Sequence, residues 1–476
     1  MRNFSRLIIL GVCLVAAWHG EAGDADEAPM EETERQALYS AIQGLVGNWW
    51  NGSDLYPDPC GWTPIQGVSC DLFDGLWYVT TLNVGPVHEN SLVCSANPVF
   101  TPHVFKLAHL KSLSFFGCFV SPRQNPVLVP PEGWGNLADS LESLEFRSNP
   151  GLVGQIPSCF GQLINLQSLV ILENGLSGSV PPNIGSLPNL KRLVLRGNSL
   201  VGPIPDSFGG LSKLLILDLS SNSLSGPLTQ ALGGLTSLLK LDLSNNLLEG
   251  KLPLELGKLK NLTLLDLRSN KLSGGLTRSL EAMSSLQELI LANNPIAGDL
   301  RILGWEKLQG LVTLDLSQMG LTGDIPESIS KLKKLRFLGL SNNHLGGHIS
   351  PEMATLPSIN ALYLNGNNFT GELNFSRWFY GKMERRFGAW DNPGLCYRTE
   401  SQSTSREPFG VKPCQEQGNV VDEPSSEAKL GGGRMGQSFH FMASSGYSRH
   451  VGGYHGLWCP FLVELAMLLL IVLKSY

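Results

Sequence analysis

A chain of 476 residues with 53 glycines and 29 prolines can fill two or three ordinary globular domains, or spend its length on one elongated repeat body. Its formal net charge of −6 supplies no basic field to gather nucleic acid, so no such partner is expected. Abundant glycine beside many leucines points to short elements separated by tight turns.

Residues 1–23 read as a secretory signal peptide. Arg2 and Arg6 precede an apolar core, Leu7 to Ala17, that is too short to span a bilayer, and Gly20, Ala22 and Gly23 offer a cleavage point. A buried N-terminal helix is the plainer reading of the same stretch. Next, Thr33 and Gln36 have the spacing of a capping box, and Ala37, Leu38, Ala41, Ile42 and Leu45 make an amphipathic helix. The dominant signal follows. Asparagines recur at 149, 174, 198, 222, 246, 270, 294, 343 and 367, with Met319 in the one vacant slot and Cys118 in an earlier degenerate copy. Leu214-L-I-L-D-L-S-S-Asn222 and Leu238-L-K-L-D-L-S-N-Asn246 show the frame. A fixed period of this kind names a solenoid of about eleven coils. Alternating leucines place a short strand with its apolar side inward. The asparagine must find partners in backbone groups of its own and neighbouring coils. Met319 cannot, so a locally weaker or wetter ladder is expected there. Gly202-Pro-Ile-Pro205 and Gly323-Asp-Ile-Pro326 turn and stiffen the return path.

This frame, L-x-x-L-x-x-L-x-L-x-x-N-x-L-x-G-x-I-P over residues 107–383, resembles the extracellular leucine-rich repeat of plant receptor-like proteins. Trp49, Trp50, Asp58-Pro-Cys-Gly-Trp62 and Gly67-Val-Ser-Cys70 are similar to the N-terminal cap of that family. Asp391-Asn-Pro-Gly-Leu-Cys396 with Cys414 is similar to its C-terminal cap. The resemblance implies an α/β solenoid of 24-residue repeats with disulfide-closed caps. The expected division is a cap at 24–78, repeats at 79–383, a second cap at 384–416, a flexible stalk at 417–444 and a hydrophobic anchor signal at 445–476. Finer details resemble one small group within the family: the double Trp, an insertion carrying Cys94, Trp134-Gly-Asn-Leu137, and a hydrophobic end without a kinase. They imply a plasma-membrane protein needed for a root's response to a beneficial fungal endophyte.

Cysteines are read in an oxidising compartment. Cys60 with Cys70, and Cys396 with Cys414, each close a short cap loop. Cys94–Cys118 would pin the insertion between the first two strands, the alternative being a free Cys118 in the asparagine slot. Cys159 is expected to be a packed thiol.

Near the end, small residues Ala443-Ser-Ser-Gly446, a polar spacer and an apolar tail, Leu457 to Leu473, match a lipid-anchor signal with Ser444 or Ser445 as the attachment point. A short transmembrane anchor, or a soluble tail, are the alternatives. Either anchor implies no cytoplasmic signalling domain. Sequons at Asn51, Asn261, Asn368 and Asn374 suit a glycosylated secreted surface.

No catalytic constellation stands out. No histidine lies between His109 and His344, and no nucleophile elbow, P-loop or kinase signature is present. His344 and His348 read as a loop pair, so no metal site and no cofactor are expected. Asp218, Asp242, Asp266 and Asp315 form one row because the frame repeats, and Lys331 to Arg336 reads as a solvated edge around two core leucines. No enzyme activity is expected.

Residues flanking the strand leucines face the concave side and carry specificity. Arg147, Val170, Leu172, Arg192, Val194 and Arg196 mix exposed apolar groups with arginines, as an interface would, and Phe337 with Tyr363 forms a second cluster. Scattered surface hydrophobes are the plainer reading. The expected function is a cell-surface recognition or co-receptor protein, working with an extracellular ligand and a membrane receptor kinase. The alternative is an inhibitor of microbial wall-degrading enzymes such as polygalacturonases, which similar plant repeats bind.

Overall fold

A computed structural model describes residues 29–86, 91–398 and 407–414. Expectations for the signal peptide, the stalk and the anchor, with Ser444 and Ser445, lie outside the described residues.

The N-terminal cap is a helix, Glu32–Val46, that buries Ala37, Leu38, Ala41, Ile42 and Leu45 as its spacing predicts. Its start differs from the expected capping box. Glu31 is the N-cap, its carboxylate accepting from the Glu34 backbone N–H at 2.6 Å. Thr33 instead donates its hydroxyl to Glu31, because an acidic side chain at the helix start both accepts and opposes the dipole. A hairpin, Val68–Phe73 against Leu76–Val84, then opens the main sheet, and Cys60–Cys70 ties it down.

Fourteen strands form that sheet in chain order, all parallel after the first pair. Leu113, Leu144, Leu169, Leu193, Leu217 and Leu241 stand in register across neighbouring strands and point into one continuous core. One coil could not bury these leucines alone; the stack does. The return path of most coils carries a short 3-10 turn, such as Ser158–Gln162 or Asp206–Gly210. On the flank between strand and return path a second parallel sheet runs from Val127–Leu128 to Lys271–Ser273, resuming as a three-stranded sheet from Gly298–Asp299 to His344–Gly346.

The asparagine ladder is the polar spine of the stack. Asn246 donates its amide to the carbonyls of Leu219 (3.0 Å), Leu243 (3.1 Å) and Ser244 (3.2 Å), while its Oδ1 accepts from the Leu224 N–H at 3.0 Å. Asn270, Asn294, Asn343 and Asn367 repeat the pattern, and Asn392 supplies a last rung beyond those read from the sequence. At the vacant slot, Met319 is buried and joins the core. Its backbone N–H still reaches Asn343 Oδ1 at 2.9 Å, so the ladder loses the amide donors but keeps that rung. The residue before each slot, from Gly117 to Asp391, has φ between 54° and 69°. This left-handed step turns the chain off the strand, and Ser148, Glu173, Ser221 and Gln318 adopt it despite carrying a Cβ.

Cys94 and Cys118 are bonded, with Cα atoms 5.1 Å apart, so Cys118 is not a free stand-in for asparagine. The bond holds the insertion against the first coils. There Phe100 enters an aromatic core with Phe115 (5.2 Å between centroids), Phe146 and the fully buried Trp134, which also meets Phe160 at 4.8 Å. Cys396–Cys414 closes the other end, where Thr370–Leu373, Gly394–Tyr397 and Lys412–Pro413 form a small parallel sheet. Cys159 is a free, half-buried thiol packed against the core, 3.1 Å from the Pro131 carbonyl and held above the ordinary thiol range by burial.

Candidate ligand-binding face

Every concave strand contributes outward side chains on either side of its core leucine, and strand register assembles them into rows. One row runs Glu145, Val170, Val194, Asp218, Asp242, Asp266, Ile290, Asp315, Gly339, Tyr363. A second, two residues earlier, runs Ser168, Arg192, Ile216, Lys240, Leu264, Glu288, Thr313, Phe337. Adjacent positions in a row lie about 4.8 Å apart, the spacing of neighbouring strands.

At the N-terminal end the sequence expectation needs correcting. Val170 and Val194 face the concave side and stand outside the continuous core, yet they are only 0% and 6% exposed. Packed shoulder to shoulder between Glu145 and Asp218, they shape the floor and offer no contact area. Arg147 is half-buried and pairs with Glu145 at 2.8 Å. Leu172 and Arg192 are half-buried and Arg196 is exposed. The accessible part of this patch is therefore Leu172 and the arginines.

The middle of the face is charged. The aspartates do line one row, as the frame dictates. Asp218, Asp242 and Asp266 are buried there, and each carboxylate caps its own turn by accepting from the backbone N–H two residues on, at 3.1 Å in every case. Lys240 reaches both Asp218 (3.4 Å) and Asp242 (3.8 Å), and Arg268 reaches Asp266 (3.2 Å). Burial, then the neighbouring carboxylate, pushes Asp266 up to about 7 and raises Asp242. Burial also raises Glu288. No sequence signal separates these buried aspartates from the half-buried Asp315, because the frame is the same and only the neighbours differ.

At the C-terminal end Phe337 and Tyr363, on adjacent strands, meet at 5.8 Å between tilted rings. The space for this comes from Gly339. A Cβ there would lie 2.6 Å from Asp315 Oδ1 and 3.0 Å from the Phe337 ring. Trp390, missed in the sequence, leans over the backbone of Gly388 and extends the aromatic surface to the exposed Phe409, 5.8 Å away. His344 and His348 are exposed on the outer flank, away from this face. In the run Lys331 to Arg336, Leu332 and Leu335 are buried and the four cations exposed. Asn51, Asn261, Asn368 and Asn374 are all exposed.

A parallel in-register sheet presenting variable rows over a constant leucine core, closed by disulfide-bonded caps, defines a leucine-rich-repeat ectodomain of the plant receptor kind. The model of the leucine-rich repeat region matches residues 157–377. The chain belongs to the plant leucine-rich-repeat receptor-like family that includes Piriformospora indica-insensitive protein 2 of Arabidopsis thaliana, with which it is 72% identical over 400 residues, 83% of this chain and 94% of that protein. Among solved structures it is similar to the plant peptide hormone receptor RGFR1 in complex with RGF2, at a TM-score of 0.57 and 26% identity over 67% of this chain. It is equally similar to PEPR1 with AtPEP1, at 0.58 and 26% over 77%. The chain spans about half of each of those two receptors, 51% in both cases. Among the described residues no helix is long and apolar enough to cross a membrane.

Proposed function

We propose that this protein is a cell-surface recognition or co-receptor protein that takes an extracellular ligand on its concave face and acts through a kinase-bearing partner in the same membrane. The observation carrying the proposal is the contrast between rows. Leucines repeat without interruption inside, while the outward rows change from arginine and leucine, through buried carboxylates, to aromatics. Invariance inside with variety outside is what a recognition scaffold requires. The similarity to receptors solved with RGF2 and AtPEP1 favours a peptide as ligand. Membership in the family of Piriformospora indica-insensitive protein 2 favours a part in the response to a fungal endophyte.

The test is crosslinking of the tagged full-length chain in root membranes, with and without fungal secretions. Beside it stand Leu172→Asp/Arg196→Glu and Phe337→Ala/Tyr363→Ala, chosen because these positions are accessible whereas Val170 is not. Recovery of a receptor kinase by the parent and its loss from either variant supports the proposal. Recovery of a secreted polygalacturonase, slowed in its activity by the chain, would replace it with the inhibitor reading.

A further inference from the structure

The charged middle of the concave face holds more negative than positive groups, and those groups are not equally placed. Three carboxylates stand on three adjacent strands: Asp218 on Ile216–Asp218, Asp242 on Lys240–Asp242 and Asp266 on Leu264–Asp266. Glu288 comes from the next strand and faces Lys240 across Leu264. The charged groups set against them are Arg192, on the strand paired with Ile216–Asp218, Lys240, on the Asp242 strand, and Arg268, just past the Asp266 strand. Four carboxylates thus face three cations, and the fully ionised strip carries one negative charge in excess.

Their hydrogen bonds differ. Asp218 accepts from the Ser220 hydroxyl at 2.6 Å and Asp242 from the Ser244 hydroxyl at 2.7 Å. Asp266 has Arg268 where the others have serine, and that cation is half-exposed. Asp242 stands between two like charges, Asp218 and Asp266, at strand spacing. Like carboxylates held this close in partial burial cannot all ionise readily, and the proton is retained where opposition is greatest.

Taking the concave face as the ligand site proposed above, we propose that its middle is proton-gated: Asp242 and Asp266 shed protons as a cationic ligand segment docks over them, so recognition of a Lys- or Arg-bearing segment strengthens from acid towards neutral. In acid, with protons on Asp242 and Asp266, the strip no longer carries an excess of negative charge. As protons leave, an unbalanced negative strip forms that a ligand cation completes. By linkage, a ligand that binds the ionised form releases protons on binding, and its affinity rises with pH across the window in which they leave. Asp266, pushed up to about 7 by burial and then by Asp242, places that window close to neutral, and burial displaces Asp242 and Glu288 in the same direction.

The probe is fluorescein-labelled tetra-arginine amide, titrated at fixed ionic strength into the purified full-length protein at about pH 5.5 and about pH 7.5. The expected result is affinity about tenfold higher at the upper pH, with proton release detected calorimetrically in buffers of different ionisation enthalpy. Asp242→Asn/Asp266→Asn should bind with a clearly smaller pH dependence and release fewer protons, since only Glu288 remains displaced upward. Potentiometric difference titration should show the parent taking up more protons than this variant between those pH values. The substitutions are isosteric and remove buried charge, and an unchanged melting temperature in acid confirms that the variant is folded. If the variant keeps the parent's pH dependence, or the parent binds the probe equally at both values or not at all, the gating is overturned. Failure of the recognition proposal itself would appear elsewhere, in crosslinking that the Leu172 and Phe337 variants leave unchanged.

Discussion

Replacing Asn246 with alanine tests the physical basis of the whole stack. The substitution removes three amide donations, to Leu219, Leu243 and Ser244, and one acceptor. The losses are unequal. The Leu219 carbonyl also accepts from Asn222, the Leu243 carbonyl from Asn270 and the Ser244 carbonyl from the Ser221 N–H, so all three keep a partner. The N–H of Leu224 has Asn246 Oδ1 as its acceptor and would be orphaned inside the core. An orphaned buried donor costs about 1–3 kcal/mol, and the three shared bonds add about 0.5 kcal/mol each. A loss of about 3 kcal/mol is expected, a large share of a domain's usual 5–15 kcal/mol. In a solenoid the damage should be local and spread to nearest neighbours first. Chemical denaturation measures the total, and hydrogen exchange over residues 219–248 measures the locality. A cost below about 1 kcal/mol, or unchanged exchange of the peptide containing Leu224, would refute the ladder as a stabilising spine.

Other outcomes follow from the same geometry. Glu34 is buried between the cap helix and the strand Leu76–Val84, accepts from the Val79 N–H at 3.1 Å, and is pushed up to about 7 chiefly by burial. Like Asp266 it keeps its proton in the folded chain to higher pH than in the unfolded one, so the folded state binds more protons between about 4 and about 7. That stabilisation is full in acid and is lost as pH rises through neutral. The melting temperature should be highest near pH 5 and several degrees lower at pH 8, and Glu34→Gln should flatten the profile. Removing the insertion's disulfide with Cys94→Ser/Cys118→Ala frees a loop of 24 residues and should cost about 3.5 kcal/mol in non-reducing denaturation. Gln318 sits at φ 56° with an exposed side chain. Gln318→Gly should therefore raise stability by about 0.5 kcal/mol, and a loss instead would show that the side chain matters more than the backbone. Gly339→Ala should displace Phe337, lower stability by about 1 kcal/mol and weaken partner recovery in the crosslinking assay.

Periodicity by itself determined a great deal here. A leucine recurring every 24 or 25 residues can be buried only by stacking, so the solenoid, the inward strands and the asparagine ladder were all legible before any coordinates. The cap cysteines were legible for a similar reason, since each pair closes a short loop. What the frame could not reveal is how much of each outward residue its neighbours leave uncovered. Val170 and Leu172 carry similar side chains two positions apart, yet one is sealed by its row and the other is only half-buried. The fate of Cys118 likewise turned on where the insertion carries Cys94, a contact between segments 24 residues apart. The charge state of Asp266 depends first on how deeply the stacked coils bury it and then on Asp242, which the neighbouring strand brings alongside. Local pattern selects the coil, but exposure and ionisation belong to the surroundings, and those exist only once the coils have stacked.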